Sequence, residues 1–217
     1  FNSLISTQIA QDHIDNPNWR FIDCRYELIA PEKKKEEFAL SHLPYALFVD
    51  MDKDLAGTHV PGKTGRHPLP LLSDLTMKFS AMGIDKSMQV AVYDDSGGSH
   101  AARLWWMLRW LGHDAVAVID GGWTYWIKEK RPISSEIFIP EEKIFIASPR
   151  LSWIVTADEI LHDLNNPETC VFDARSLQRF RGENENFDPV AGHIPGSYSS
   201  PFTDNLNKNG KWKSRSE

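Results

Sequence analysis

Chemistry in this chain is concentrated in a few short runs. In QVAVYDDSGGSHAARL at 89–104 an apolar strand enters a glycine-rich turn and then a helix start. That order gathers free backbone N–H groups into a bowl suited to an anion or a thiolate. The strand delivers Asp94 and Asp95 to the bowl, not a cysteine, and a carboxylate there is expected to repel an incoming anion. Two Asp-x-Arg pairs, Asp23/Arg25 and Asp173/Arg175, each close a strand and read as structural ion pairs that fix its end. Arg179 is different. It lies six residues beyond Asp173 on a short predicted helix, while the position six beyond Asp23 is the apolar Ile29. An arginine confined to one of two matching places is either a solvated surface residue or an anion ligand.

Other motifs carry less. GTHVPGKT at 57–64 matches the string of a phosphate-binding loop, and VAVYDD resembles the strand that would hold its magnesium. The mechanism needs a strand directly before Gly57 and a helix directly after Thr64, whose N–H groups hold the phosphates. The flanks are instead DMDKDLA and GRHPLP, and Pro68 and Pro70 oppose a helix, so a surface loop is expected. His59, His67, His100 and His113 lack HExxH or comparable ligand spacing, and no metal is expected. Cys24 and Cys170 fall in predicted buried strands without a paired pattern, so both read as reduced thiols and neither as a nucleophile.

The elements that position these residues are written twice. FIDCRYE at 21–27 and SHLPYA at 41–46 recur as VFDARSL at 171–177 and GHIPGS at 192–197, offset by 150 positions at Asp23/Asp173 and 151 at His42/His193. The first copy alternates strands (WRFIDC, ALFVD, QVAVY, AVAVI) with helices: PEKKKEEFAL opened by Pro31, a helix capped by Ser73 and ending at Gly83, ARLWWMLRWL stopped by Gly112, and one after DGGW. This rhythm predicts an α/β fold with a mostly parallel sheet flanked by helices. Leu104, Trp105, Leu108 and Leu111 form a core stripe, and Trp106 and Trp110 point to another face, toward a second domain or solvent. The boundaries read as a first domain at 1–133, a Pro-broken linker at 134–152 and a second domain at 153–217, opened by a Thr156/Glu159 capping box.

The charge of −6 is mild and dispersed, which gives no footprint for nucleic acid or an anionic membrane surface. No apolar run approaches transmembrane length. The unpaired cysteines fit a reduced, cytoplasmic setting, and an N-terminal Phe1 leaves room for a presequence already removed.

Taken together, FIDCRYE…SHLPYA, VAVYDDSGG…ARLWWMLRWLGH, VIDGGWTYWIKEKRP and VFDARSLQRFRG…GHIPGS resemble the tandem-domain rhodanese sulfurtransferases over essentially the whole chain. The resemblance implies a catalytically silent first domain, in keeping with Asp94, and a second domain whose loop opens with a nucleophilic cysteine. It implies a sulfane sulfur passed from a small anionic donor, thiosulfate or 3-mercaptopyruvate, through a cysteine persulfide to cyanide or a thiol, with no cofactor. It places Arg179 on the family's substrate-gripping arginine. Adding 150 to Asp94 gives 244, which is 27 past Glu217, so the nucleophile is expected beyond this sequence, the second copy is expected to be truncated, and the 217 residues alone are expected to be inactive. A binding or regulatory rhodanese-like protein without a nucleophile, and a phosphatase or arsenate reductase on the same architecture, are the rival readings.

Overall fold

The computed structural model describes residues 1–214 and 216 and divides into two units, Phe1–Arg150 and Leu151–Glu217. In the first unit β1 (Leu4–Ile5), β2 (Trp19–Asp23), β3 (Leu47–Phe48), β4 (Gln89–Tyr93) and β5 (Val116–Ile119) pair in the order β1-β5-β4-β2-β3, every pairing parallel. The middle strand β4 is buried from Val90 to Tyr93, as an apolar run without polar alternation requires.

Helices α1 (Thr7–Asp12), α2 (Pro31–Leu40), α3 (Leu72–Ala81), α4 (Ala101–Trp110) and α5 (Gly122–Lys128) cover the sheet. The period-two alternation of the strands splits the core into two faces. Val90, Val92, Val116 and Val118 pack with Leu75 and Phe79 of α3 and Leu104 and Leu108 of α4. Ala91, Tyr93, Ala117 and Ile119 pack with Ala10 of α1 and Trp126 of α5, with Phe38 of α2 alongside. Neither β1 nor α1 was legible in the sequence, because ISTQIAQDH has too few apolar positions for a clear period.

Two expectations about helices are corrected. Ser73 does not cap α3: Leu71 has the extended backbone of the cap, and Ser73 lies inside the first turn with its hydroxyl donating to Asp74 Oδ1 at 3.1 Å. Trp110 is neither exposed nor free for a partner domain but buried in the core, with Trp106 stacked on it at 5.6 Å. The cause lies in the Pro-broken stretch after Pro132. It has no helix up to Leu151, yet it is fastened as a strap: Lys143 N donates to Ser80 O (3.0 Å), Ser148 N to Leu111 O (2.8 Å) and Arg150 N to Trp110 O (2.8 Å). Phe145 of the strap is buried against Phe79.

The second unit contains α6 (Ala157–Asp163), β6 (Phe172–Asp173), α7 (Leu177–Phe180) and β7 (Tyr198–Ser199). The capping box of Thr156 and Glu159 is formed in both directions. Its two strands are parallel, with Phe172 opposite Tyr198 and Asp173 opposite Ser199, matching Ile22 opposite Leu47 and Asp23 opposite Phe48 in the first unit. Cys170 is exposed on irregular chain, not buried in a strand, because β6 begins only at Phe172 and has β7 as its sole neighbour among the described residues.

Candidate functional site

At the C-terminal end of β4 the bowl read from the sequence is present, and it is filled. The Asp94 side chain, 2% exposed, curls into it. Oδ1 accepts from Ser96 N (2.9 Å) and Gly98 N (2.8 Å), and Oδ2 from His100 N (2.8 Å) and Ala101 N (2.9 Å). Gly97 and Gly98, at φ of 72° and 90°, supply the left-handed turn that aims these N–H groups inward. Asp94 therefore does more than repel an anion: it is the anion, and it uses four donors that a thiolate or oxyanion would need. The rim is ordered by Ser96 Oγ against His100 Nδ1 (2.9 Å) and by Lys34 Nζ donating to Asp95 (2.8 Å). From below, Trp123 N donates to Asp94 O at 2.8 Å, and Gly122 permits the approach, since a Cβ there would lie 2.1 Å from that oxygen.

Beside the bowl lies a cluster that the sequence did not bring together. Asp52 Oδ1 is 2.8 Å from His67 Nε2, the Tyr26 hydroxyl donates to Asp52 at 3.1 Å, and the Tyr26 ring meets both His67 and His100 edge-on. Burial and the Asp52 charge push the Tyr26 hydroxyl up to about 12. Arg103 fixes the loop by donating to the carbonyls of Leu55, His67 and Pro68. A carboxylate bonded to an imidazole in this way sets the ring's orientation and the nitrogen that carries its proton. No helix follows Thr64 before Leu72, so the 57–64 stretch is a loop and lacks the helix start a phosphate-binding loop needs.

The cysteines make poor nucleophiles, for different reasons. Cys24 is buried, its Sγ is 3.9 Å from Ile22 O, and burial followed by the charges of Asp23 and Asp94 pushes its thiol well up. Cys170 is exposed and sits in no bowl. Both are free thiols.

The Asp-x-Arg pairs take the same form in the two units. Arg25 Nε donates to Asp23 (2.9 Å) and Nη2 to Ser41 O (2.9 Å); Arg175 Nε donates to Asp173 (3.0 Å) and Nη2 to Gly192 O (2.5 Å). Each ties its strand end to the turn after the next helix, the structural role expected of them. Arg179 has no such job. Its Nε donates to Glu185 Oε2 (2.9 Å) and its Nη2 to Asp188 Oδ2 (2.6 Å), and no partner for Nη1 occurs among the described residues. The bond from Arg179 draws the Glu185 carboxyl down to about 2. The guanidinium is thus held at a fixed angle by two carboxylates with one amino group unused.

Residues 6–129 match the model of the rhodanese-like domain. The chain belongs to the rhodanese family. Over 96% of its length it is 37% identical to a Pseudomonas aeruginosa protein named "probable 3-mercaptopyruvate sulfurtransferase", of which it covers 74%. It is 32% identical over its whole length to mouse thiosulfate sulfurtransferase, of which it covers 75%. The structure of 3-mercaptopyruvate sulfurtransferase from Leishmania major superposes on 98% of the chain with a TM-score of 0.84 at 29% identity, the chain spanning 59% of that protein. The rhodanese-like α/β fold, a mostly parallel sheet flanked by helices, is that of these sulfurtransferase enzymes. No helix among the described residues is long and apolar enough to cross a membrane.

Proposed function

We propose that this rhodanese chain is the front part of a sulfurtransferase that moves a sulfane sulfur from thiosulfate or 3-mercaptopyruvate to cyanide or a thiol, and that its second unit begins a second copy of the first. The observation that carries the reading is the bowl: four N–H groups converge on one anionic group at the end of a buried strand. The same loop in a second copy, opening with cysteine in place of Asp94, would hold a thiolate with the same donors and lower its pKa. That thiolate attacks the outer sulfur of thiosulfate, the S–S bond breaks and sulfite leaves with the electron pair. Cyanide then takes the terminal sulfur of the persulfide as thiocyanate and frees the thiolate.

Arg179 is assigned to the donor's sulfonate or carboxylate through Nη1, with Glu185 and Asp188 setting the plane of the fork. The test is thiocyanate release, with each donor in turn, by a chain extended through the loop near position 244. A cysteine there with turnover of one donor is the expected result, and no turnover with either overturns the reading. In the same assay Arg179→Ala raises KM for the donor by roughly 10- to 100-fold, the loss of one hydrogen bond between charged groups. An unchanged KM removes Arg179 from the site.

A further inference from the structure

A second cationic group in unusual surroundings lies near the N-terminal end of β2 in the first unit's sheet. Arg20, in β2, is 6% exposed, yet among the described residues its guanidinium makes one hydrogen bond, a long one of 3.5 Å from Nη2 to Gly83 O. Nε is buried without an acceptor, and no carboxylate of the described residues lies within ion-pair distance. Burial alone acts on its pKa, downward, with no charge to oppose it. A buried guanidinium Nε–H without an acceptor is costly, and native structures rarely leave one so.

Arg20 lines a cleft of about 520 Å3, within the size range of small-ligand sites. Its walls include Trp19, Tyr45 and Phe138, and the Phe138 ring lies 5.2 Å from the guanidinium carbon. Tyr45 meets Phe138 edge-on at 5.7 Å. It does so from a backbone φ of 60°, a region that a bulky residue rarely occupies. Its counterpart in the repeated run, Gly196, has φ of 80° and is the residue suited to that conformation. The chain has therefore placed a tyrosine where the turn favours glycine, and the side chain so placed forms a wall of the Arg20 cleft. Such strain is characteristic of binding positions.

Charge on the rim selects among anions. Lys143, already paired with Asp85 at 3.3 Å, adds a shared positive charge to that of Arg20, and Asp15 and Glu141 bring two negative ones. A dianion would meet that pair of carboxylates, whereas a single carboxylate matches the planar fork of an arginine.

We propose that the cleft bounded by Arg20, Tyr45, Phe138 and Trp19 binds a small monocarboxylate with a flat apolar body, its carboxylate on the Arg20 guanidinium. The probe is benzoate, added to the 217-residue chain while the Arg20 Nε–H resonance is followed by NMR. A saturable shift with a Kd of about 1 mM or tighter is the expected outcome. Neutral benzamide should give no such shift, and inorganic phosphate should bind at least tenfold more weakly. Arg20→Met, which removes the unsatisfied cation, should keep the wild-type denaturation midpoint or raise it and abolish the benzoate shifts at Trp19. Lys143→Gln retains Arg20 and serves as a second variant, with benzoate weakened several-fold. No saturation by benzoate, equal binding of benzamide, or phosphate binding as tightly as benzoate each overturns the proposal.

Discussion

Asp94 shows how one residue type decides what a fold can do. Its carboxylate takes four backbone hydrogen bonds in a site that leaves the residue buried, so the same four donors define what any replacement would experience. In Asp94→Cys the thiol should titrate below the ~8.5 of a free cysteine, because the donors stabilise the charged form. The check is the alkylation rate at residue 94 against pH, with buried Cys24 as an unreactive internal reference. A pKa at or above the free value would mean that the bowl is shaped for a carboxylate alone. The sequence located Asp94 in a bowl but not its direction: repulsion was expected, and occupation was found. The difference depends on side-chain rotation, which residue order does not encode. Asp52 and His67 were illegible for a related reason. They lie fifteen residues apart on loops, and the Arg103 bonds to three carbonyls, with the Gly57 N bond to Pro68 O, bring that loop into place.

At the scale of elements, close approach is what holds the bowl. Helix α5 begins against the loop after β4, and Gly122, at φ of 51°, leaves no room for a side chain. Gly122→Ala should destabilise the first unit by about 3 kcal/mol, from overpacking plus a strained backbone. Urea denaturation measures it, and a loss well under 1 kcal/mol would show that the loop relaxes freely. Helices with clear signals were legible: Pro31 opens α2 and the Thr156/Glu159 box opens α6 as read. Ser73 misled because a capping residue is recognised by type, whereas the helix starts where the backbone turns, at Leu71. Trp110 misled because a helix face has no label for what covers it, and the covering strap has no periodicity of its own.

For the molecule as a whole, the half-buried His100 and the buried His113 set the first pH window. Burial lowers the pKa of both His100 and His113 below the ordinary 6.5, so the folded first unit keeps them neutral while the unfolded chain protonates them. Their contribution is complete above pH 6.5 and is lost as pH falls toward the lowered values. The urea midpoint should therefore drop between pH 7 and 5.5, and His113→Phe should flatten that slope; a midpoint independent of pH there would contradict the lowered pKa of both rings. Glu185 acts in a separate window. Its carboxyl, at about 2 in place of 4.5, supports the Arg179 loop above pH 4.5 and lets go as pH falls toward 2.

The filled bowl also fixes how the first unit responds to its surroundings. A free anion stabilises the state that binds it in proportion to its concentration, and dilution reverses the effect. The Asp94 carboxylate is covalently attached, so its effective concentration is constant. Dialysis cannot remove it, and thiosulfate in the medium cannot compete it out without breaking the fold around it. In buffer terms, this half of the molecule carries a ligand that is always at saturation.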